Sequence, residues 1–478
     1  MNYRLILRTL GRTLQLEALC LLLPLLVSLF YQESVFPFLV TILPLVLLGT
    51  LLSSLRAFPS FYSREGYAVV GLIWVAMSLF GALPFWVSGW FGGYINSLFE
   101  IVSGFTTTGA SILTEIEPLP RGLLFWRSFS SWIGGIGVVV FLLSFLPKLG
   151  NRSQLLIQAE SPGPISSKLV PRTARSAQIL IITYLALTGA ELFALLAIGM
   201  PLYDASVNTF ATVCTGGFSV MNESIAAYGM PACEVIITVF MLLSSLNLGI
   251  FFLLVKKQGS LVLRSEESRF FLTVTAASIL LIFVVILPDY GSSADALRDA
   301  AFQVSSIVST SGFSTADYNR WPQLAQLTLV LLMFMGGCAG STAGGLKCVR
   351  ILLMIKCAGR ALRRFTNPRT VKTVKLDGKG IEESDLTVVF VFFVLFLFLL
   401  AAASLVVSLD GVSLPTAFTS ALACLSNVGP GLDLVGPAGN YASLSSLSKL
   451  VLTASMLIGR LEIFPILILL RPDSWNGK

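Results

Sequence analysis

The chain has 478 residues, of which 55% are hydrophobic and only 12% are charged, and its formal net charge is +7. Soluble domains carry about 25% charged residues, so this composition excludes an ordinary soluble fold. The sequence has no histidine, and its seven cysteines form no C-x-x-C pair. Imidazole metal ligands, histidine-based catalytic triads and thiolate metal sites are therefore excluded.

Apolar runs of about 20 residues, the length that crosses about 30 Å of hydrocarbon, recur along the chain. They predict an all-α polytopic membrane protein with ten transmembrane helices. In chain order the predicted spans are 14–31, 35–55, 67–88, 124–147, 177–199, 232–255, 270–288, 325–355, 386–408 and 447–470. The eighth span is too long for one straight helix and is rich in glycine, so we expect a broken helix there.

The basic residues predict the orientation of these spans. Most of the 32 Lys and Arg residues fall in alternate connecting segments and at the two ends of the chain. These basic segments are 1–13, 56–66, 148–176, 256–269, 347–380 and 471–478. Because cytoplasmic segments carry the excess of Lys and Arg, both termini are expected in the cytoplasm.

Four segments on the opposite side of the membrane have an unusual composition. Each begins with a weakly apolar stretch and ends in a cluster of Gly, Ser and Thr, over residues 89–123, 200–231, 289–324 and 409–446. Each is too short and too polar to cross the membrane twice. We therefore predict a short descending helix and an irregular return, which membrane depth tolerates only where the backbone is buried or lines water.

The four clusters align on one core glycine each, at Gly109, Gly217, Gly312 and Gly429. The intervals of 108, 95 and 117 residues indicate a fourfold internal repeat of helix, pore loop and helix. The predicted divisions are a two-helix extension over 1–66 and pore repeats over 67–176, 177–269, 270–385 and 386–478. The candidate ion-binding residues are Thr107, Thr108, Gly109, Thr215, Gly216, Gly217, Thr310, Ser311, Gly312, Asn427, Val428 and Gly429.

This composition suits a dehydrated monovalent cation. Rings of backbone carbonyls replace the hydration shell of K⁺ in selectivity filters, and glycine permits the backbone angles that such rings need. The four core stretches contain no acidic residue, whereas Ca²⁺ usually takes carboxylate ligands. Acidic residues that can concentrate cations at the outer mouth lie nearby, at Glu115, Glu117, Glu223, Asp317 and Asp433. A single cluster of this kind is more simply explained as a turn or a contact between helices. Four clusters in register favour a selectivity filter.

These residues carry a family resemblance. The stretches 106–110, 217–219, 312–314 and 427–431 resemble the filter loops of the Trk/Ktr/HKT superfamily, and the ten-segment plan resembles its TrkH branch over nearly the whole chain. The resemblance implies four pseudo-symmetric repeats, K⁺ as the bound ion, a homodimer in the bacterial inner membrane, and a cytoplasmic nucleotide-binding ring of the TrkA type as regulatory partner. We expect contact with membrane lipid, and neither an organic cofactor nor a nucleic acid.

The chain departs from a perfect fourfold filter. The residue before the core glycine is Thr108, Gly216, Ser311 or Val428, and no loop has the full T-V-G-Y-G sequence. This departure favours looser selectivity than that of tetrameric potassium channels. It leaves the preference between K⁺ and Na⁺ open.

The broken eighth span is the candidate gate. Its residues Gly336, Gly337, Gly340, Ser341, Thr342, Gly344 and Gly345 follow the third cluster on the inner side. A flexible polar stretch at this depth would line the permeation path, and the resemblance implies the family's intramembrane loop here. The alternative is a tight helix-packing patch. A phosphate-binding loop is excluded, because Leu346 separates Gly345 from Lys347.

Arg460 lies inside the last apolar run. Such an arginine normally faces the bundle interior or a water-filled cavity, so we predict a pore-facing charge that acts with the gate, as the resemblance also implies. The alternative is an ion pair with Glu462, although residues i and i+2 of a helix do not face each other. Glu100 is predicted to support the first loop from behind, and Glu191 to be a helix-packing hydrogen bonder.

The segment 356–380 is strongly basic, and two interpretations remain open. It carries Lys356, Arg360, Arg363, Arg364, Arg369, Lys372, Lys375 and Lys379. Such a segment either contacts anionic lipid headgroups or docks a cytoplasmic partner.

Three classes of function are open to a helical membrane protein. A channel-like K⁺ transporter is the prediction, and a symporter that couples K⁺ or Na⁺ to H⁺ or Na⁺ is the alternative. Coupled carriers usually show carboxylates at a midplane site, and these are sparse here. A membrane enzyme would need a nucleophile–base pair or metal ligands, and the sequence shows neither pattern.

Overall fold

The computed structural model describes residues 3–56, 63–137, 173–255, 265–367 and 373–470. Within these ranges the chain is built almost entirely of helices. In chain order the helices are Tyr3–Cys20, Leu22–Phe30, Phe36–Ser53, Ser63–Gly81, Leu83–Ser88, Tyr94–Phe105, Arg121–Ile136, Thr173–Ala197, Leu202–Val213, Pro231–Ser245, Leu248–Val255, Glu266–Ile286, Ser293–Val308, Gln323–Met335, Cys348–Thr366, Glu383–Ser408, Leu414–Leu425, Ser446–Arg460 and Phe464–Leu470.

Six helical stretches in the described ranges are long and apolar enough to cross a membrane. They are Tyr3–Phe30, Phe36–Ser53, Gly66–Ser88, Gln178–Ala197, Glu266–Asp289 and Glu383–Ser408. Shorter apolar helices cover Pro231–Ser245, Gln323–Met335 and Leu414–Leu425. The helical membrane class is therefore confirmed. The count of ten spans and the division into four repeats stay predictions, and residues 138–147 of the fourth predicted span lie outside the described ranges.

Five predicted spans are divided into two helices, two of them only by single residues, Leu21 and Ala82. The break in the eighth span, over 336–347, is confirmed. The breaks at 246–247 and 461–463 were not predicted, although each has a local cause. Asn247 accepts a hydrogen bond from the Gly249 N–H at 2.8 Å and so begins a new helix. At the other break, Glu462 and Ile463 take left-handed angles, with φ of 53° and 66°, just before Pro465.

The strictly all-α prediction needs one correction, because the basic segment contains a small antiparallel hairpin. Lys375–Leu376 pairs with Lys379–Gly380. Asp377 and Gly378 form the turn with φ of 50° and 77°. Asp-Gly is the favoured sequence for a two-residue turn with two positive φ angles, so the signal was present in the sequence.

The amino-terminal hairpin packs through small residues. Helix Tyr3–Cys20 lies along Phe36–Ser53, and Gly11 and Gly49 allow their close approach. A Cβ atom on Gly11 would lie 2.6 Å from the Ser53 amide nitrogen, closer than any real side chain allows. Close contact between small residues is how helices associate where lipid gives no hydrophobic driving force.

Four short helices position the candidate site. Tyr94–Phe105, Leu202–Val213, Ser293–Val308 and Leu414–Leu425 each end directly before one Gly/Ser/Thr cluster. The descending helices predicted in the four outer segments are thus present. Their last turns are buried, as are the loops that follow, so the irregular backbone is enclosed by protein as membrane depth requires.

Candidate ion-binding site

The four clusters form loops of the same backbone conformation, named here loop I (106–111), loop II (214–219), loop III (309–314) and loop IV (426–431). Two residues before each core glycine stands a non-glycine residue in the left-handed region. These residues are Thr107, Thr215, Thr310 and Asn427, with φ of 54°, 57°, 61° and 55°. The core glycines also have positive φ, of 79°, 64°, 82° and 96°. Such angles on non-glycine residues are uncommon and cluster at functional sites.

The four loops form a closed ring. In each loop the core glycine faces the carbonyl oxygen of the residue just before the core glycine of the next loop. The facing pairs are Gly109 with Gly216, Gly217 with Ser311, Gly312 with Val428, and Gly429 with Thr108. A Cβ atom on any of these glycines would lie closer than 3.0 Å to that oxygen. Because the order returns to loop I, the loops surround one axis.

Hydrogen-bonded pairs of side-chain hydroxyls occur in alternate loops of this ring. Thr106 and Thr108 share a hydrogen bond of 2.7 Å in loop I, and Ser309 and Ser311 share one of 2.8 Å at the same place in loop III. Loops II and IV have Gly216 and Val428 at the second position of this pair, so the hydroxyl pair is missing there.

Asn427 connects loop IV to loop I, because its Nδ2 donates to Thr108 Oγ1 at 2.9 Å. Two buried side-chain oxygens of the left-handed residues, Thr107 Oγ1 and Asn427 Oδ1, have no hydrogen-bond partner among the described residues. Buried polar atoms are nearly always satisfied, so these oxygens are available to a ligand.

The non-helical segment 336–347 lies against loops II and III. The Gly344 N–H donates to Thr310 Oγ1 at 2.8 Å. Thr342 Oγ1 donates to the Val213 carbonyl at 3.2 Å and accepts from Thr215 Oγ1 at 3.3 Å. The candidate gate therefore touches the left-handed residue of two loops.

The ends of this segment meet each other. A Cβ atom on Gly336 would overlap the Gly344 carbonyl and lie 3.0 Å from Gly345 Cα. A Cβ atom on Gly337 would lie 3.1 Å from the Ser245 carbonyl oxygen. Between the two ends, Ala339 and Gly340 form a turn that the Ser341 N–H closes by donating to the Cys338 carbonyl at 3.2 Å. The structure thus brings all seven predicted gate residues together in one compact loop.

Arg460 reaches this loop from the last long helix. Its Nη1 donates to the Thr342 carbonyl at 2.6 Å, and its Nη2 donates to the carbonyls of Gly134 and Gly135 at 2.7 and 3.1 Å. Glu462 forms a buried ion pair with Arg350. Arg460 therefore joins the candidate gate to the end of helix Arg121–Ile136.

The fold of the chain and its four loops are shared with known proteins. Residues 37–476 match the TrkH family, described as cation transport protein. The chain belongs to the TrkH family.

Relatives of this TrkH-family chain match it along its whole length. It is 37% identical over 484 residues to the Trk system potassium uptake protein TrkH of Salmonella typhimurium, covering 100% of both chains. It is 32% identical to the Trk system potassium uptake protein TrkG of Escherichia coli K12, over 98% of this chain and 97% of that one. The crystal structure of the potassium transporter TrkH from Vibrio parahaemolyticus has a TM-score of 0.89 with 33% identity and complete coverage of both chains. The family is one of transporters, so the chain is not an enzyme.

Sequence reasoning missed several side chains behind the loops of the TrkH-family chain. Tyr441 donates to the Gly429 carbonyl at 2.6 Å, and Tyr318 donates to the Gly431 carbonyl at 3.0 Å. Arg127 forms an ion pair of 2.6 Å with Glu100. No local pattern marks these residues, because their partners lie far away in the sequence.

The acidic residues near the outer mouth have mixed surroundings. Glu115, Glu117 and Glu223 are exposed, whereas Asp317 is half-buried and pairs with Arg320 at 3.3 Å. Asp433 accepts hydrogen bonds from Ser413 and Thr416. These bonds hold the pKa of the Asp433 carboxyl below its usual value. In the described ranges, no group of three or more His, Cys, Asp or Glu side chains is arranged to hold a metal ion.

Proposed function

We propose that this chain takes up K⁺ by conducting it through the ring of four loops. The observation that carries the proposal is the closed ring of carbonyls at Thr108, Gly216, Ser311 and Val428, each facing a glycine of the preceding loop. Relatives over the full length are named potassium uptake proteins. K⁺ would move down its electrochemical gradient, driven by about 2.3 kcal/mol per charge for each 100 mV.

In this proposal the ring replaces the hydration shell of K⁺. The ligands are backbone carbonyls and hydroxyls of the loop residues, with the unpartnered Thr107 Oγ1 as an additional oxygen. The site residues are Thr107, Thr108, Gly109, Thr215, Gly216, Gly217, Thr310, Ser311, Gly312, Asn427, Val428 and Gly429. Support comes from their shared backbone conformation and from the absence of acidic residues in the core stretches.

The inner loop 336–345 is proposed as the gate, with Arg460 as its latch. Because the inner loop forms hydrogen bonds with Thr215 and Thr310, it cannot move without breaking its contacts with the ring. Arg460 holds the Thr342 carbonyl, so release of this hydrogen bond would accompany opening.

The setting of the pore is proposed as follows. The chain lies in the bacterial inner membrane with both termini in the cytoplasm, as a homodimer in contact with lipid. A cytoplasmic nucleotide-binding ring of the TrkA type docks on the basic segment 356–380. Support comes from helix Cys348–Thr366, where Arg363 and Arg364 are exposed beside Phe365, which is 86% exposed. Arg369 and Lys372 lie outside the described residues.

Coupled symport is the second candidate function. Glu17 and Glu191 are fully buried; the Glu17 carboxyl has no hydrogen-bond partner within the described residues, and Glu191 lies beside Thr212. Buried carboxyls of this kind are typical of proton-coupled carriers. Symport predicts that K⁺ uptake into liposomes acidifies the lumen, whereas K⁺ uptake alone, with H⁺ leaking outward to balance the charge, makes it alkaline. Glu191→Gln should abolish the acidification.

The first experiment compares bacteria that lack their own K⁺ uptake and express either this chain or its Gly109→Ser variant. Growth at low K⁺ that the substitution abolishes supports the four-loop filter. Equal growth with both chains would show that the glycines serve packing alone. No flux of K⁺ or Na⁺, even with a cytoplasmic nucleotide-binding partner supplied, would contradict the proposed function.

A further inference from the structure

One fully buried ion pair lies behind the contact between loops I and II. Arg127 Nε is 2.6 Å from Glu100 Oε1, and the two side chains are 3% and 0% exposed. A buried ion pair is tolerated only when further hydrogen bonds satisfy the remaining donors and acceptors. The contacts of these two side chains therefore show what the pair holds in place.

The carboxylate of Glu100 holds loop I. Glu100 Oε1 also accepts from Ser111 Oγ at 2.9 Å, and Oε2 accepts from the Ile112 N–H at 2.9 Å. Glu100 belongs to the short helix that descends into loop I, and the residues it binds are those that leave this loop. The carboxylate thus joins the two limbs of one pore loop.

The guanidinium of Arg127 holds loop II. Arg127 Nη1 donates to the Ser219 carbonyl at 2.9 Å, and the guanidinium carbon lies 3.6 Å from the centre of the Phe218 ring. Both contacts lie directly after Gly217, the core glycine of loop II. Because a guanidinium is planar, rigid and permanently charged, it fixes both the direction and the distance of these contacts.

The pair has no charged counterpart at the same place in the other repeats. Nine residues before the core glycine, where loop I has Glu100, the other repeats have Asn208, Gln303 and Ser420. Asn208 donates to Tyr228 at 3.0 Å, which is a neutral contact. The charged connection is therefore a special feature of the contact between loops I and II, where Gly109 faces the Gly216 carbonyl.

We propose that Glu100 and Arg127 are a positioning pair that sets the separation of loops I and II and thereby the ion preference of the ring. Neither side chain touches the ion. The pair keeps the carbonyls of Thr108 and Gly216 at the spacing that fits one cation better than another. This inference rests on the proposed function, because it assumes that the ring binds the transported ion.

The test uses the full-length chain in liposomes, with K⁺ and Na⁺ flux measured over a range of ion concentrations. Glu100→Gln removes the charge of the carboxylate and preserves its size. We expect the apparent KM for K⁺ to rise, and the preference for K⁺ over Na⁺ to fall, by about tenfold each. The maximal flux per folded molecule should change much less, because the gate is untouched.

The matched control is Glu234→Gln, which breaks an ion pair of the same 2.6 Å length between Glu234 and Arg298. Among the described residues, this pair has no hydrogen bond to a residue of the four loops. We expect its KM and ion preference to equal those of the unchanged chain. If Glu100→Gln does not accumulate in the membrane, Arg127→Lys takes its place, because it retains the charge and loses the planar contacts with Phe218 and Ser219.

The outcomes distinguish the proposed transport function from the positioning role of Glu100 and Arg127. An unchanged chain that carries no cation contradicts the proposed function itself. A chain that selects between K⁺ and Na⁺, with Glu100→Gln or Arg127→Lys leaving KM and preference unaltered, overturns the positioning role alone. The same holds if these variants lower thermal stability alone.

Discussion

Gly217 in loop II faces the carbonyl oxygen of Ser311 in loop III so closely that an added methyl group would overlap it. This is the tightest of the four contacts that close the ring. Since the four contacts form one cycle, a displacement at this contact alters the spacing of the carbonyls on both sides of it.

Substitution of Gly217 therefore tests the ring. Gly217→Ala should abolish K⁺ uptake, because the Cβ atom must displace the Ser311 carbonyl and overpacking of this kind costs about 1–3 kcal/mol. Gly229→Ala is the control. Gly229 also has a left-handed φ, 57° against 64° for Gly217, but nothing lies within 4 Å of its added Cβ. Both variants pay the same left-handed strain, about 1–2 kcal/mol. Equal loss of uptake in both would show that strain alone is responsible.

The contact between Thr342 and loop II tests the gate. Thr342→Val removes the hydroxyl that contacts the Val213 carbonyl and Thr215 Oγ1, at about 1 kcal/mol for each hydrogen bond. We expect K⁺ flux to rise several-fold with an unchanged K⁺/Na⁺ preference. Thr328→Val is the control, because the Thr328 hydroxyl lies on an exposed helix surface and donates to the Leu324 carbonyl of its own helix. A changed ion preference with unchanged flux would assign Thr342 to the filter instead.

Substitution of Arg460 tests its proposed role as the latch of the gate. Arg460→Gln loses the charged hydrogen bonds to the carbonyls of Thr342, Gly134 and Gly135. Charged hydrogen bonds contribute about 1.5–3 kcal/mol each, so even partial loss should raise the open fraction about tenfold. Single-channel recording measures this fraction directly. Arg320→Gln, at a side chain that is 87% exposed, should behave as the unchanged chain. A lower open fraction in Arg460→Gln would show that the arginine stabilises the open state.

Asp433 gives a prediction about pH. Hydrogen bonds from Ser413 and Thr416 lower its pKa. A carboxyl with a lowered pKa stabilises the folded protein above its unfolded pKa, near 3.9, and this contribution is lost only as pH falls through the lower folded value. Asp433 therefore stays charged at about pH 5.5 and at about pH 7.5 alike.

The corresponding measurement is uptake at low external K⁺ by Asp433→Asn. We expect a deficit of a few-fold that shrinks with added salt, because salt screens the attraction of cations to the outer mouth. The deficit should be equal at about pH 5.5 and about pH 7.5. A deficit that disappears at the lower pH would mean that Asp433 is already protonated there.

Local patterns in the sequence were enough to locate the loops. The repeated spacing of Gly109, Gly217, Gly312 and Gly429 identified residues that the structure brings into one ring, because glycine adopts a left-handed backbone without steric cost and leaves room for a close neighbour. The break after Met335 followed from the length and glycine content of its span. The hairpin at Asp377-Gly378 carries the same kind of local signal, although the prediction above does not include it.

What the sequence did not supply is the set of contacts between distant segments. The order in which the loops face each other, the approach of Tyr441 to the Gly429 carbonyl, and the reach of Arg127 to Ser219 each join residues with no shared local pattern. In the sequence, Arg127 lies inside the predicted span 124–147 and outside the basic segments, with no neighbouring residue that marks its partner. Its role depends on side-chain packing, which the sequence alone does not reveal.

The measurement that tests the central claim most directly is the anomalous scattering of crystals of this chain grown in Rb⁺, a heavier ion of similar chemistry to K⁺. We predict a peak on the axis of the ring, between the carbonyl oxygens of Thr108, Gly216, Ser311 and Val428, that disappears when Na⁺ replaces Rb⁺. An empty ring in well-ordered crystals, or a peak only at a site away from the four loops, would contradict the account.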